Sequence, residues 1–513
     1  MDSPFVVRED IEKLDAPDSF SRLPPGWGVA KLNELTGSRG LMVDGDWVES
    51  KDQDPDGKIR LVQLADIGEG RFLDKSSRFL TEATAERLRC TLLQENDVLI
   101  ARMASPLGRA CVYSVLPQPA VTVVDVCIWR GDPETTDPRW LMHTINSLQC
   151  RKSISSESSG TTRQRVSGGK LKNIIVPVPP LGEQRRIVAR IDALFAEIAE
   201  GEAALAEARK GLETFRRALL KAAVTGELTK DWRAANRSAK SGTEIIAHLR
   251  SRYPNASPTK AGWKPKEGLP SLPPEWTWCA IEEAGEVQLG RQRAPQHHSG
   301  DNMRPYLRVA NVLEDRLDLS DVKWMNFTPA EFETFELRSS DILLNEGQAP
   351  DLLGRPAMYR EEIAGCCFQK TLLRFRAKHG VLPEYALIVF RHYMHSGRFK
   401  RESRITTNIG HLTQVRFVVM EFPLPPEAEQ QVIVDLFRDS EAAASDVLAI
   451  LDAEASDAAR LKQSILKSAF EGRLAPQDPA EEPASTLLAR LADTPVRPSM
   501  ARVRAKTRAS AAS

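Results

Sequence analysis

The sequence predicts an α+β protein built twice, with two homologous globular domains separated by two long antiparallel helices in a pseudo-two-fold internal duplication. Three observations predict it. Short motifs recur in the same order in both halves of the 513-residue chain. Each half switches from short β-like runs, broken by Gly, Pro, Asn and Asp, to a proline-free segment rich in Ala, Glu, Leu and Arg. That segment carries apolar residues at alternating steps of four and three, the period of a helix packed along its length against another.

The duplication rests on three motif pairs. Leu23-Pro24-Pro25-Gly26-Trp27 recurs as Leu272-Pro273-Pro274-Glu275-Trp276. The run from Val176 through Pro179-Pro180 to Glu183-Gln184 recurs from Phe422 through Pro425-Pro426 to Glu429-Gln430. Leu220-Lys221-Ala222-Ala223-Val224-Thr225-Gly226-Glu227-Leu228 recurs as Leu466-Lys467-Ser468-Ala469-Phe470-Glu471-Gly472-Arg473-Leu474. Fainter matches (62–67 with 307–312, Gly108-Arg109 with Gly354-Arg355, Thr161-Thr162 with Thr406-Thr407) keep the same offset of 244 to 249 residues. A fixed period of this kind dictates the architecture.

The elements follow in order. Residues 1–22 are an N-terminal extension and 23–180 the first globular domain, with strand-like runs such as Asp97-Val98-Leu99-Ile100. Residues 181–228 hold the first long helix, from Glu183, where a carboxylate complements the helix dipole, to the stop at Gly226. The 42 or so residues of its periodic part span roughly 63 Å. Its seam is predicted at Ile187, Ile191, Leu194, Ile198, Leu205, Leu212, Phe215 and Leu219, with small residues between. Residues 229–271 are a proline-rich linker with a short helix near 242–250, and 272–426 form the second domain. The second helix, in 427–474, offers Ile433, Phe437, Val447, Leu451, Leu461 and Ile465, with Ser440, Glu454 and Ser468 interrupting. Residues 475–513 hold another short helix near 484–492 and a basic tail expected to be solvated and disordered.

Composition narrows the function. Seventy basic residues balance 70 acidic ones, which argues against a generally polycationic binder. Seven cysteines, an odd number with no Cys-x-x-Cys, fit a reduced, cytoplasmic protein in which they are small core residues. Neither a signal sequence nor an apolar run of membrane-spanning length is present. Catalytic signatures are missing too: no phosphate-binding loop, no glycine-rich nucleotide turn, no nuclease-like acid–lysine cluster, and only an unconvincing His392-x-x-His395 for a metal. No catalytic or metal-binding residue is therefore assigned.

Local charge is more informative. Residues 139–172 hold seven basic residues against Glu157, and 370–416 hold ten against Glu384 and Glu402. Two equivalent basic segments suggest two places on one polyanion. Within them, Thr161, Thr162, Arg163, Gln164 and Arg165, and Thr406, Thr407, Asn408 and His411, are rich in groups that donate to phosphates or base edges. Arg151, Lys152, Lys400, Arg401 and Arg404 flank them, and Arg109 and Arg355 are weaker candidates.

The ordered set of Leu-Pro-x-x-Trp, Pro-x-Pro-Pro-x-x-Glu-Gln and a long helix closing on Ala-x-x-Gly-x-Leu, all duplicated, resembles the specificity subunit of type I restriction-modification systems over residues 20 to 475. The resemblance implies two target-recognition domains, each reading one half of a bipartite asymmetric DNA site and held apart by the helices. It also implies docking of two modification subunits, which carry S-adenosylmethionine and methylate adenine at N6, and of restriction subunits that supply ATP- and Mg-dependent translocation and cleavage. No cofactor is expected in this chain. The alternatives left open are the targeting subunit of a modification-only or type II-like assembly, and a coiled-coil scaffold without a DNA role.

Overall fold

In the computed structural model the described residues are 23–103, 106–160, 163–236, 240–253, 263–406 and 409–493. The N-terminal extension and the basic tail lie outside them. The chain divides into two compact units, one of residues 1–204 with 454–513, the other of 205–453. Each long helix, Leu181–Thr225 and Glu427–Phe470, contributes residues to both.

The two units repeat the same sheets in the same register. In the first, a four-stranded sheet runs in the order Leu41–Asp44, Val126–Arg130, Val98–Ala101, Ala110–Val112. In the second, the order is Gly285–Leu289, Leu372–Ala377, Ile342–Asn345, Pro356–Met358. Leu99 opposite Ile128 becomes Leu343 opposite Arg374. A parallel pair follows suit, with Val62 opposite Thr122 and Leu307 opposite Phe368. The central strands Val98–Ala101 and Ile342–Asn345 are fully buried, as runs of apolar residues without alternation should be.

The repeated motifs explain themselves as one junction. Trp27 donates its indole N–H to Glu183 at 2.9 Å, and Trp276 does the same to Glu429 at 2.9 Å. Gln184 donates to the Pro179 carbonyl at 3.0 Å and accepts from the Asp137 backbone at 2.9 Å; Gln430 donates to Pro425 at 3.1 Å and accepts from Leu382 at 2.7 Å. The Glu-Gln pair thus satisfies the start of each helix and ties it to its domain. Gly226 and Gly472 end the helices at φ +78° and +69°, where a Cβ would also strike Pro273 and Pro24 at 2.5 and 2.1 Å. The end of the first helix therefore packs on the Leu-Pro-Pro-x-Trp turn of the second domain, and the end of the second helix on that of the first. The short helices Gly242–Arg252 and Ala484–Asp493 start on the same turns, bonded to the Glu275 and Gly26 carbonyls, and bury Ile245, Ile246, Leu249 and Leu487, Leu488 in the local core.

Helix pairing is antiparallel within each unit. In the first, Ile187, Val188 and Ile191 share a core with Ile465, Leu466, Ala469 and Phe470. In the second, Leu219, Leu220, Ala223 and Val224 meet Ile433, Val434 and Phe437. Each such fully buried aliphatic side chain contributes about 1.5–3 kcal/mol. Ion pairs run alongside: Glu202 with Lys462 at 2.7 Å in the first unit, Arg209 with Asp452 and Arg216 with Glu441 in the second.

Of the residues predicted for the seam, Ile187, Ile191, Leu219, Ile433, Phe437, Leu451 and Ile465 are buried, and Leu194, Ile198, Leu205 and Leu212 are half-buried. Phe215, Val447 and Leu461, also predicted there, are instead 47%, 46% and 51% exposed. Their inward neighbours are Arg216, Leu448 and Lys462, and Ala455 rather than Glu454 faces in. A strict 3.5-residue repeat drifts about 20° per heptad on a helix of 3.6 residues per turn, so the stripe slips by one position.

Candidate nucleic-acid interface

Both polar loops lie on β-hairpins with matching pairing. In the second domain Arg404–Thr406 pairs with Ile409–His411, and that strand pairs in turn with Gly347–Gln348. In the first domain Ser159 and Met103 both bridge to Arg165, the counterparts of Ile405 and Gln348 bridging to Gly410. Thr161, Thr162, Thr407 and Asn408 lie outside the described residues; Thr406 is in its strand.

The basic runs do not form continuous basic surfaces. Carboxylates from outside and inside the runs neutralise many of these residues: Arg139 pairs with Asp192, Arg165 with Asp125 and Lys170 with Glu157. In the second domain Arg374 pairs with Glu286, Arg376 with Asp341 and Arg391 with Glu314. Arg374 is only 2% exposed and burial pushes its guanidinium pKa down.

Several candidates serve as braces. Arg109 donates to the Ile67 and Leu64 carbonyls at 2.6 and 2.8 Å, pinning the turn between them. Arg151 donates to the Leu107 carbonyl and to Asn146 and pairs with Glu69 at 3.1 Å. Burial pushes the pKa of both arginines, and of Arg355, downward. Lys400 is 2.9 Å from Asp351, Arg401 donates to the Ser396 carbonyl, and His411 sits 3.6 Å from Glu346. Arg163, Gln164 and Arg404 are exposed on the hairpins, and Lys152 is exposed beside a cavity of about 610 Å3 that Lys467 and Phe470 also line.

Next to the first hairpin is a cleft of about 570 Å3 lined by Trp47, Gln63, Met103, Asp125 and Arg165 among others. Trp47 is 67% exposed, with its N–H 3.2 Å from Glu49. Sequence reasoning missed it, although an indole between acids at the end of a strand is an unusual surface residue. Gly45 lets the chain turn there, since a Cβ would come within 2.3 Å of the Val123 carbonyl; its counterpart Gly290 lies equally close to the Gln369 carbonyl.

Among the described residues no group of His, Cys, Asp and Glu is arranged to hold a metal ion, and no helix is long and apolar enough to cross a membrane. His392 is pushed down to about 4 by burial, with Lys221 and His395 adding to the effect. Six of the seven cysteines are buried, and burial raises the thiol pKa of Cys127 and Cys150 to about 12.

The family described as "Type I restriction modification DNA specificity domain" matches residues 24–208. The specificity subunit of type I restriction enzyme EcoKI from Escherichia coli strain K12 is 22% identical over 91% of this chain and 93% of its own length. That of StySPI from Salmonella potsdam is 23% identical over 90% and 92%. A chain solved in work on complex assembly and conformational transition of the type I R-M system superposes with a TM-score of 0.61 at 19% identity, covering 88% of this chain and 99% of that one, and shares its fold. With the duplicated motifs joined in one junction and near full-length relatives of a single kind, the chain is similar along nearly its whole length to the specificity subunits of type I restriction-modification systems.

Proposed function

We propose that this chain recognises a bipartite, asymmetric duplex DNA site, the first domain (23–180) reading one half and the second (272–426) the other. The observation that carries this reading is the pair of hairpins in identical register, each presenting an exposed arginine, Arg163 and Arg404, on equivalent domains. Polar side chains on a strand pair suit contact with phosphates and base edges. One small domain reaches only a few base pairs, so two linked domains multiply discrimination.

Partner docking is the second part of the proposal. Phe215, Leu436, Val447 and Ile450 leave apolar surface on the long helices of the second unit, and Leu461 does so in the first. These support docking of two modification subunits, which with restriction subunits would supply adenine methylation and ATP-driven cleavage. Co-expression with the modification subunit and mapping of N6-methyladenine in host DNA tests the reading. A two-part motif with unlike halves is expected. Methylation of a continuous motif, or no dependence of methylation on this chain, would overturn it.

A further inference from the structure

The shared register lets the cleft beside the first hairpin be compared, position by position, with its counterpart in the second domain. Asp46 bridges to Val123 as Arg291 bridges to Gln369, which aligns Trp47 with Gln292 and Val48 with Arg293. Val62 opposite Thr122 corresponds to Leu307 opposite Phe368, which aligns Gln63 with Arg308 and Val124 with Lys370.

The chemistry inverts across this alignment. The first cleft has an exposed indole and three carboxylates: Asp46, which is buried and accepts from the Thr91 N–H at 2.8 Å, Glu49, which pairs with Lys51, and Asp125, which pairs with Arg165. The same positions in the second domain carry Arg291, Arg293, Arg308 and Lys370 and no carboxylate. Two of these cations are committed, Arg291 to Glu331 and Arg308 to Asp321. Arg293 and Lys370 are exposed; Arg293 donates to the His298 imidazole at 3.1 Å, and neither enters an ion pair among the described residues. The Lys370 N–H bonds the Arg291 carbonyl, so Lys370 sits where its strand-end neighbours place it.

Building on the DNA-reading role proposed above, we infer that the two domains read their half-sites through the same cleft with opposite chemistry. The first uses Trp47 as an apolar contact surface, with the exposed Glu49 and the half-buried Asp125 as carboxylate acceptors suited to the amino groups of cytosine or adenine. The second uses Arg293 and Lys370, donors suited to phosphates or to guanine. Each hairpin also presents one exposed arginine, Arg163 in the first and Arg404 in the second, at positions that are not equivalent. Each phosphate contact releases counterions and steepens the salt dependence of binding, whereas an apolar contact does not. Affinity for the first half-site therefore depends on Trp47 with little salt signature, and the second domain supplies the extra salt dependence.

The test uses the full chain in complex with its modification subunits, and a duplex carrying the motif found in methylated host DNA beside a scrambled duplex. Binding is measured at several KCl concentrations. Arg293→Gln with Lys370→Gln is expected to flatten the slope of log K against log salt by about 2, at roughly 0.9 per contact. Trp47→Ala is expected to weaken specific binding about tenfold with the slope unchanged, and Trp47→Phe to recover most of it. Thermal melting of each variant separates loss of folding from loss of contact. Wild-type affinity in Trp47→Ala, or a wild-type slope in the double variant, would overturn the inference while leaving DNA recognition standing. Equal binding of both duplexes by the parent complex would instead overturn the reading on which it rests.

Discussion

The two domains have the same sheets, the same Trp–Glu junction and the same hairpin, yet they differ in how the conserved carboxylate is held. Glu429 accepts from Trp276, from Thr229 at 2.6 Å and from Arg233. Glu183 accepts from Trp27, its other oxygen has no hydrogen-bond partner in the described structure, and burial raises its pKa. The backbone geometry of the junction is what the duplication preserves. Its electrostatic wiring has diverged, as has the surface beside the hairpins.

The largest expected effect breaks that comparison directly. Glu429→Ala strands Arg233 and two other buried donors and should cost about 3–5 kcal/mol by chemical denaturation, against about 1–3 kcal/mol for Glu183→Ala, which strands one indole N–H. Equal losses would show that the two junctions are energetically the same.

Acidity should separate the domains in opposite directions. His392 has a folded pKa of about 4, below its ordinary value of 6.5, so its unfolded form binds more protons between those values. Stability of the second unit is therefore present above pH 6.5 and lost as pH falls toward 4. His392→Gln should retain more of its stability at pH 5 than the parent, measured by melting at both pH 7 and pH 5. Glu183 has the reverse sign. Its folded pKa is raised above 4.5, so the stability tied to its protonated form is lost as pH rises through the folded value. The difference in stability between Glu183→Gln and the parent should accordingly shift in favour of the variant as pH rises from 5 to 8.

Smallest is the effect of the exposed helix positions. Phe215→Ser should cost only about 1 kcal/mol, because about half of the residue is already exposed. It should nonetheless weaken co-purification of the modification subunit, and unchanged co-purification would remove this position from the docking surface.

Much of this was legible in the sequence. The Leu-Pro-Pro-x-Trp and Pro-Pro-x-x-Glu-Gln motifs announced a repeated junction because the indole, carboxylate and amide must all meet in one buried place. The helices were legible because their period is long and proline-free. Surface charge was not legible along the chain. Arg374, Arg376 and Arg391 form a basic run until Glu286, Asp341 and Glu314, 35 to 88 residues away, fold against them. The braces were hidden for the same reason: Arg109 finds its carbonyl partners more than 40 residues upstream. Phe215, Val447 and Leu461 were misplaced because a one-position slip in phase turns a seam residue outward.

The central claim, that each domain independently reads its own half-site, is tested most directly by exchange. Residues 23–180 are replaced by the corresponding domain of another family member, and methyladenine is mapped in host DNA expressing the chimera with its modification subunit. The account predicts that one half of the motif changes and the other half stays as it was. Altered bases in both halves, or in neither, would contradict it.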